Sequence, residues 1–378
     1  MLDETLGEQA WLERIHERCV ESGLTFPRRL LYAFHTSLKT AEWAPMTVLG
    51  GVSGTGKSEL PRLYARFGGL AFEPLSVQPN WDSPQSLFGF FNSVDNRFNA
   101  TPLLRALVQS QKRPDDSEYQ GGLADRVLLV LLDELNLSHV ELYFSDLLSK
   151  LELRRGTRED VTLEIDLGAG LDEYELPLGR NVLWVGTMNE DETTKSLSDK
   201  VLDRANMLGF PRPRELRRRL EASLKDPEPM LPFATWESWI CRKSDLTTDE
   251  ATKYKAVLEQ MNAHLERVGR ALGHRVWQSV ESYMANYPDV RAARAAGDQA
   301  SLDAALSTAF EDALVQKVMP KLRGIETSGK ARDECLDPIA RLLADRELGL
   351  HLSEDFELAT SVGYAFVWRS ARYIEAAG

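Results

Sequence analysis

The sequence lacks the features of membrane-spanning, secreted and zinc-binding proteins. It has no apolar run of about eighteen residues, the length that a membrane-spanning helix needs, and its first residues lack the apolar stretch of a secretory leader. The three cysteines, Cys19, Cys241 and Cys335, are too scattered for a disulfide framework. The six histidines show no spacing of paired metal ligands. We therefore predict a cytoplasmic protein with reduced cysteines and no zinc site.

Basic residues are also fewer than acidic ones. The chain has 45 lysines and arginines against 58 aspartates and glutamates, which gives a formal net charge of −13. Because nucleic acids attract proteins through basic residues, such a chain is a poor candidate for wrapping naked nucleic acid over its whole surface. The strongest basic cluster consists of Arg212, Arg214, Arg217, Arg218 and Arg219. This cluster could contact DNA phosphates or an acidic partner, but we favour a solvated helix turn or a contact between subunits.

A glycine-rich loop is the most informative feature that is present. It follows the apolar run 46–49, fits the pattern G-x-x-x-x-G-K-S and consists of Gly51, Val52, Ser53, Gly54, Thr55, Gly56, Lys57 and Ser58. Between a buried strand and a helix predicted over 57–67, such a loop wraps its backbone N–H groups around a phosphate. Lys57 can then reach the β- and γ-phosphates, and the Ser58 hydroxyl can bind Mg²⁺. The alternative is a chance glycine-rich turn between a strand and a helix.

Polar side chains follow two further apolar runs. Asp133 and Glu134 end the run 127–132, and Asn189 follows the run 181–186. At the carboxyl edge of a parallel sheet, Asp133 would hold the Mg²⁺ shell and Glu134 would orient the attacking water. Asn189 would lie between the loop and these carboxylates and contact the γ-phosphate or the water. The alternatives are solvated carboxylates at a strand end and an asparagine that forms a turn.

The alternation of apolar strands with helical segments predicts a three-layer α/β core with a parallel sheet. Two stretches interrupt it as small β-hairpins, the first over 90–98 and the second over 161–178. After residue 210 the chain lacks convincing strands, and helical periodicity recurs over 247–272, 275–287, 300–322 and 334–347. We predict three parts: an N-terminal helical segment over 1–44, an α/β core over 45–210 and an all-α domain over 211–378.

Taken together, these motifs resemble those of the AAA+ ATPases, and specifically of their McrB-type branch (MoxR/McrB-like, with a helix-2 insert). The resemblance covers most of residues 46–210 and rests on four blocks in order: GGVSGTGKSELPRLYARF, VQPNWDSPQSLFGFFN, LLDELNLSHVELYFSDLLSKLE and VGTMNEDETTKSLSDKVLDRANMLGF. It implies a P-loop NTPase core of the AAA+ class, followed by a helical lid. The hairpins fit the helix-2 insert and the pre-sensor-1 hairpin, the first facing a central pore.

The resemblance also implies roles for single residues. Residues 51–58 are its Walker A loop, and Asp133 with Glu134 are its Walker B pair. Asn189 occupies the sensor-1 position. Arg204 falls near the arginine finger that acts on a neighbouring subunit's nucleotide, which implies a homo-oligomeric ring, usually a hexamer.

In the helical part the resemblance is weaker and gives Arg275 as the candidate sensor-2 arginine, the alternative being a surface arginine on a helix. The family's best-known member uses GTP, but the matched motifs read phosphates rather than the base. ATP with Mg²⁺ is therefore the expected nucleotide, and GTP stays open.

The expected function is a ring-forming NTPase that drives a partner effector, in the first place a McrC-like nuclease in defence against foreign DNA. Only about forty residues precede the loop region, so we expect another subunit to recognise the target and any DNA contact to run through the complex. The alternative is a MoxR-type chaperone that remodels a protein client or assists metal insertion. A nucleotide-gated scaffold is a third possibility, against which the intact Asp133–Glu134 pair argues.

Overall fold

The computed structural model describes residues 7–155, 161–168, 170–189, 197–211 and 224–374. Its strands are β1 (Met46–Gly51), β2 (Ala71–Ser76), β3 (Gly89–Asn92), β4 (Arg97–Ala100), β5 (Leu128–Asp133), β6 (Thr162–Ile165), β7 (Tyr174–Pro177), β8 (Val182–Asn189) and β9 (Ala205–Gly209). The predicted basic cluster between Arg212 and Arg219 lies outside the described residues.

Helices account for most of the remaining described chain. They are α1 (Glu8–Glu21), α2 (Arg28–Lys39), α3 (Glu59–Gly68), α4 (Gln85–Phe88), α5 (Pro102–Gln109), α6 (Val140–Tyr143), α7 (Ser145–Leu153), α8 (Asp199–Leu202), α9 (Phe233–Ser238), α10 (Thr248–Arg267), α11 (His274–Asn286), α12 (Pro288–Ala296), α13 (Gln299–Lys317), α14 (Met319–Leu322), α15 (Gly329–Ala331), α16 (Asp337–Leu343) and α17 (Ser353–Ser361). Short 3₁₀ turns cover Leu135–Leu137 and Arg372–Ile374, and a π-helical turn covers Arg332–Leu336. In the described part of the chain, no helix is both long enough and apolar enough to cross a bilayer.

The main sheet has five strands in the order β2-β5-β8-β1-β9. β5 runs parallel to β2 on one side and to β8 on the other, and β8 runs parallel to β1. All six residues of β1 are buried, as are the first five of β5, because a central parallel strand is covered on both faces. The predicted parallel α/β core is confirmed. The predicted strands omit β9, the strand after Arg204.

The loop after β1 leads into α3, which begins at Glu59 rather than at the predicted Lys57. The carbonyl of Gly56 accepts hydrogen bonds from the N–H groups of Glu59 and Leu60, so Lys57 and Ser58 form the turn that leads into the helix, with Ser58 as its N-cap residue. The helix ends at Gly68, where Gly69 takes the left-handed conformation (φ 72°) that favours glycine.

Both predicted hairpins are present. β3 pairs antiparallel with β4, and β6 pairs antiparallel with β7. The hydroxyl of Thr101 accepts from the N–H of Leu104 and caps α5, which has Pro102 in its first turn. A Cβ added to Gly168 would lie 2.4 Å from Cγ of Phe91. The loop of the second hairpin therefore packs directly against an aromatic residue of the first.

The chain forms two compact units. The described residues of the first fall within 7–26, 44–205 and 224–239. In this unit Trp11 of α1 donates from Nε1 to the carbonyl of Gly68 over 3.2 Å and packs edge-on against Tyr64. Trp236 and Trp239 extend the same aromatic cluster. Buried aromatic pairs of this kind add specific packing to the hydrophobic contribution, and they attach α1 to the helix that follows the glycine-rich loop.

The second unit contains the described residues of 27–43, 206–211 and 240–374. It is helical, as predicted, but the single helix expected over 300–322 is divided into α13 and α14. Pro320 has no N–H to continue the ladder of α13, and α14 begins at Met319 with this proline in its first turn. The predicted division of the chain into three parts, with boundaries at 44 and 211, stays a prediction.

A buried ionic network joins distant parts of the second unit. Arg29 donates from Nε to Oδ1 of Asp312 over 3.0 Å, from Nη2 to Oε2 of Glu311 over 2.6 Å, and from Nη1 to the carbonyl of Tyr373 over 2.8 Å. The side chains of Glu311 and Asp312 are 1% exposed. Burial raises the pKa of Asp312 to about 6, although Arg29 opposes this shift. Arg29 thus balances two buried carboxylates.

Replacement of Arg29 with alanine is expected to destabilise the second unit by about 3–5 kcal/mol, because it leaves two buried acids without their cation. The loss should be smaller at pH 5 than at pH 8. A carboxyl group with a raised pKa in the folded state gains folding stability as pH falls through that pKa. Urea unfolding at both pH values measures the effect, with Arg28→Ala as the control because Arg28 is the exposed neighbour. Equal unfolding midpoints for the two variants would contradict the prediction.

Candidate functional site

Three segments of the sheet converge at the carboxyl ends of its strands. β8 lies between β1 and β5, with Gly51 opposite Asn189 and Leu132 opposite Gly186. The glycine-rich loop, the Asp133–Glu134 pair and Asn189 therefore share one edge of the sheet. Crevices at this edge are where open α/β sheets bind their ligands.

Asp133 lies at the centre of the cluster. Its Oδ1 atom accepts a 2.6 Å hydrogen bond from Oγ of Ser58 and another of 2.6 Å from Oγ1 of Thr187. The strand end is thus tied both to the loop and to the neighbouring strand. A hydroxyl and a carboxylate group in direct contact supply the hard oxygen ligands that Mg²⁺ prefers.

Glu134 has an unusual backbone conformation. Its φ of 54° and ψ of 47° place it in the left-handed region, which few non-glycine residues adopt. Its N–H donates to Oγ1 of Thr187 over 2.9 Å, and its Oε1 accepts from Nδ2 of Asn189 over 2.9 Å. Both the main chain and the side chain of Glu134 are therefore held by residues of β8.

The segment after Glu134 is fixed by aromatic and polar contacts. The Tyr143 hydroxyl donates to the carbonyl of Leu135 over 2.8 Å, and the Tyr143 ring packs edge-on against Trp81 at 5.3 Å. The hydroxyl of Ser138 donates to the Trp81 carbonyl. Burial raises the pKa of Tyr143, which keeps its hydroxyl protonated as a donor. These contacts anchor the turn that carries the carboxylates.

Lys57 is almost fully buried, with 6% of its surface exposed. Its Nζ donates to the carbonyls of Gly51 and Val52 over 3.0 and 2.6 Å, so the side chain folds back across the loop. Val52, Ser53 and Gly54 are exposed, and Gly54 has a φ of 78° that favours glycine. The loop therefore presents backbone to solvent directly beside a buried ammonium group, an arrangement that suits a phosphate.

The donor set fits a magnesium nucleotide. Ser58 and Asp133 offer two oxygen ligands, and Mg²⁺ commonly takes only one or two protein ligands, with phosphates and waters completing its octahedron. Within the described ranges, no group of three or more His, Cys, Asp or Glu side chains could hold a metal ion. A site built from protein ligands alone is thus not found in that part of the chain.

The hydrogen bonds of Arg204 run to residues outside this cluster. Arg204 donates from Nε to Oε2 of Glu152 on α7 over 2.7 Å and from Nη1 to the carbonyl of Lys200 over 2.9 Å. Among the described residues, it makes no hydrogen bond to Asp133 or Glu134. Arg275 is exposed in the first turn of α11, in the second unit. The finger and sensor-2 roles of these arginines stay predictions.

Thr187 is the residue of the cluster to which sequence reasoning gave no role. It is 1% exposed and contacts both Asp133 and Glu134. Side chains two residues apart on a strand share a face, and Thr187 precedes Asn189 by two positions. This spacing is the signal that could have identified it.

Comparison with known protein families finds a match to part of the chain. A family model described as a domain of unknown function, DUF8727, matches residues 228–376, which is less than half of the chain. No curated protein matches the chain.

Two solved structures are similar to it at low identity. The first is a putative ATPase from Cytophaga hutchinsonii ATCC 33406, with 16% identity and a TM-score of 0.45, covering 74% of this chain and 81% of that one. The second is a full-length MCM homolog from Methanopyrus kandleri, with 15% identity and a TM-score of 0.44, covering 83% of this chain and 63% of that one.

Proposed function

We propose that the chain binds ATP with Mg²⁺ and hydrolyses it. The observation that carries this proposal is the hydrogen-bonded chain from Ser58 through Asp133 and Thr187 to Glu134 and Asn189. It brings together the glycine-rich loop, a hydroxyl and a carboxylate that can hold Mg²⁺, and a second carboxylate, which are the groups that phosphoryl transfer to water uses.

Each group has a task in this reaction. The loop N–H groups and the Lys57 ammonium hold the β- and γ-phosphates, and Ser58 and Asp133 hold the metal. When bound, Mg²⁺ neutralises charge that develops on the phosphate oxygens. Glu134 accepts the proton of the attacking water, and the amide of Asn189 orients its carboxylate.

Lys57→Ala is expected to abolish nucleotide binding, because it removes the buried cation beside the exposed loop backbone. Anisotropy titration with a fluorescent ATP analogue measures this, and competition with unlabelled ATP and GTP gives the base preference. Lys150→Ala is the control, since this lysine pairs with Glu164 away from the loop. An affinity for the analogue equal to that of the wild type would disprove the phosphate assignment.

At the level of the assembly, we propose an AAA+ homo-oligomeric ring, a hexamer as the resemblance implies, in which Arg204 of one subunit completes the site of the next. The proposed effector is a McrC-like nuclease in anti-phage DNA restriction. Support comes from the four sequence blocks and from the presence of two hairpins, which the resemblance implies for that branch.

Co-purification from the native host with a non-hydrolysable ATP analogue tests the partner, by identification of the subunits that are bound. A nuclease subunit supports the proposal. A von Willebrand A-domain protein or a metalloprotein client would instead support the MoxR-type chaperone.

A further inference from the structure

We propose that Thr187 is a positioning residue that sets the metal-binding carboxylate and the water-activating carboxylate relative to each other. This inference rests on the proposed function, because it assigns Thr187 a role in the same hydrolytic site. The evidence is a single hydroxyl that contacts both acidic residues, Asp133 through its side chain and Glu134 through its main chain.

The hydroxyl of Thr187 makes one hydrogen bond to each of these two residues. It donates its one proton to Oδ1 of Asp133 over 2.6 Å and accepts the N–H of Glu134 over 2.9 Å. Thr187 is 1% exposed, so water does not compete for these bonds. Its backbone is fixed by β8, whose pairing with β5 places Gly186 opposite Leu132.

The contact to Glu134 also bears on a strained backbone. Among the described non-glycine residues, only Asn96 and Glu134 have positive φ. Asparagine tolerates this region, whereas glutamate needs support from its surroundings. The Thr187 hydroxyl supplies that support by accepting the N–H of Glu134. Asn189 lies on the same face of β8 as Thr187, and its side chain donates to the carboxylate of Glu134.

The contact to Asp133 determines which oxygen of its carboxylate is left to bind a metal ion. Ser58 and Thr187 both donate to Oδ1, and no hydrogen bond to Oδ2 is found within the described segments. Oδ2 is therefore the oxygen of Asp133 that is open to a cation. One threonine thus fixes the orientation of the metal ligand and the position of the proton acceptor together.

The test replaces Thr187 with valine, which keeps the shape and removes the hydroxyl. Thr187→Val should lower kcat by about 100-fold, the effect of misplacing a reacting group by about 1 Å. The affinity for the fluorescent ATP analogue should change little, because the loop that binds phosphate is untouched. The Mg²⁺ concentration that gives half-maximal hydrolysis should rise. Thr187→Ser keeps the hydroxyl and should restore most of the turnover.

A matched control comes from Thr47, which is also 1% exposed and lies on β1 of the same sheet. Thr47→Val should leave kcat near that of the wild type, and thermal unfolding of all variants reports their folding. Should Thr187→Val fail to fold, Thr187→Cys retains only a weak donor of similar size and should still lower kcat.

Normal kcat in Thr187→Val, or in Thr187→Cys when that variant is the one that folds, would overturn the inference. So would a loss that serine does not restore. The proposed function fails separately, since its failure appears as nucleotide binding that is insensitive to Lys57→Ala, or as a wild-type protein without hydrolysis. Wild-type hydrolysis that Glu134→Gln abolishes and Thr187→Val leaves unchanged would remove only the role of Thr187.

Discussion

Glu134→Gln is expected to stop turnover while leaving ATP bound. Glutamine has the size of glutamate but cannot accept the proton of the attacking water, and loss of such a base lowers rates by about 10²–10⁴-fold. The phosphate contacts of the loop and the Ser58–Asp133 pair stay in place, so nucleotide affinity should be maintained. Trapped ATP should also favour the oligomer, because the proposed ring is built around occupied sites.

Phosphate release measures the loss of turnover, retention of radiolabelled ATP after gel filtration measures trapping, and mass photometry measures the oligomer. The control is Glu118→Gln, which makes the same chemical change at an exposed glutamate of the first unit. Turnover of Glu134→Gln at the rate of the wild type would remove Glu134 from the mechanism. Loss of ATP binding would instead show that its side chain supports the phosphate site.

Much of the core of the site could be predicted because its signals are local in the sequence. The loop 51–58 has a recognisable sequence pattern. Asp133 and Asn189 stand out in the sequence because each is a polar residue that follows an apolar strand. Because these strands run parallel in one sheet, their carboxyl ends lie at the same edge. The hairpins were predictable for a similar reason, since a turn-prone centre flanked by aromatic residues, or a glycine-rich tip, is a short-range signal.

What could not be predicted depends on pairing between distant residues. The bond between Thr187 and the N–H of Glu134 requires the strand order, in which β8 lies next to β5, and the left-handed turn at Glu134. Arg29 and Asp312 are 283 positions apart, and no periodicity within α2 reveals a partner so far along the chain. The predicted helices omit α12, which starts anew at Pro288 directly after the helix predicted over 275–287.

Arg204→Ala is expected to preserve nucleotide binding and to lower hydrolysis by about 10³–10⁵-fold, the contribution of an arginine finger in phosphoryl transfer. In its own chain, Arg204 is held by Glu152 through Nε and by the Lys200 carbonyl through Nη1. Among the described residues, its Nη2 atom has no hydrogen bond. An arginine anchored in this way just after α8 is suited to present its remaining donor to a neighbouring subunit.

The matched control is Arg155→Ala. Arg155 lies 3.8 Å from the same Glu152 carboxylate and is similarly exposed, at 20% against 22% for Arg204. If Arg204 acted only by balancing the charge of Glu152, the two variants would lose similar activity. If its guanidinium stabilises the transferred phosphoryl group, only Arg204→Ala loses turnover.

Mixing two inactive variants decides whether the finger acts in trans. A Lys57→Ala subunit cannot bind nucleotide but carries an intact Arg204, whereas an Arg204→Ala subunit carries an intact phosphate site. In randomly mixed rings at equal concentrations, about a quarter of the interfaces join an intact site to an intact finger. Hydrolysis should therefore recover to that order of the wild-type rate. A finger that acts within its own subunit predicts no recovery at any mixing ratio, because every subunit then lacks one half of its own site.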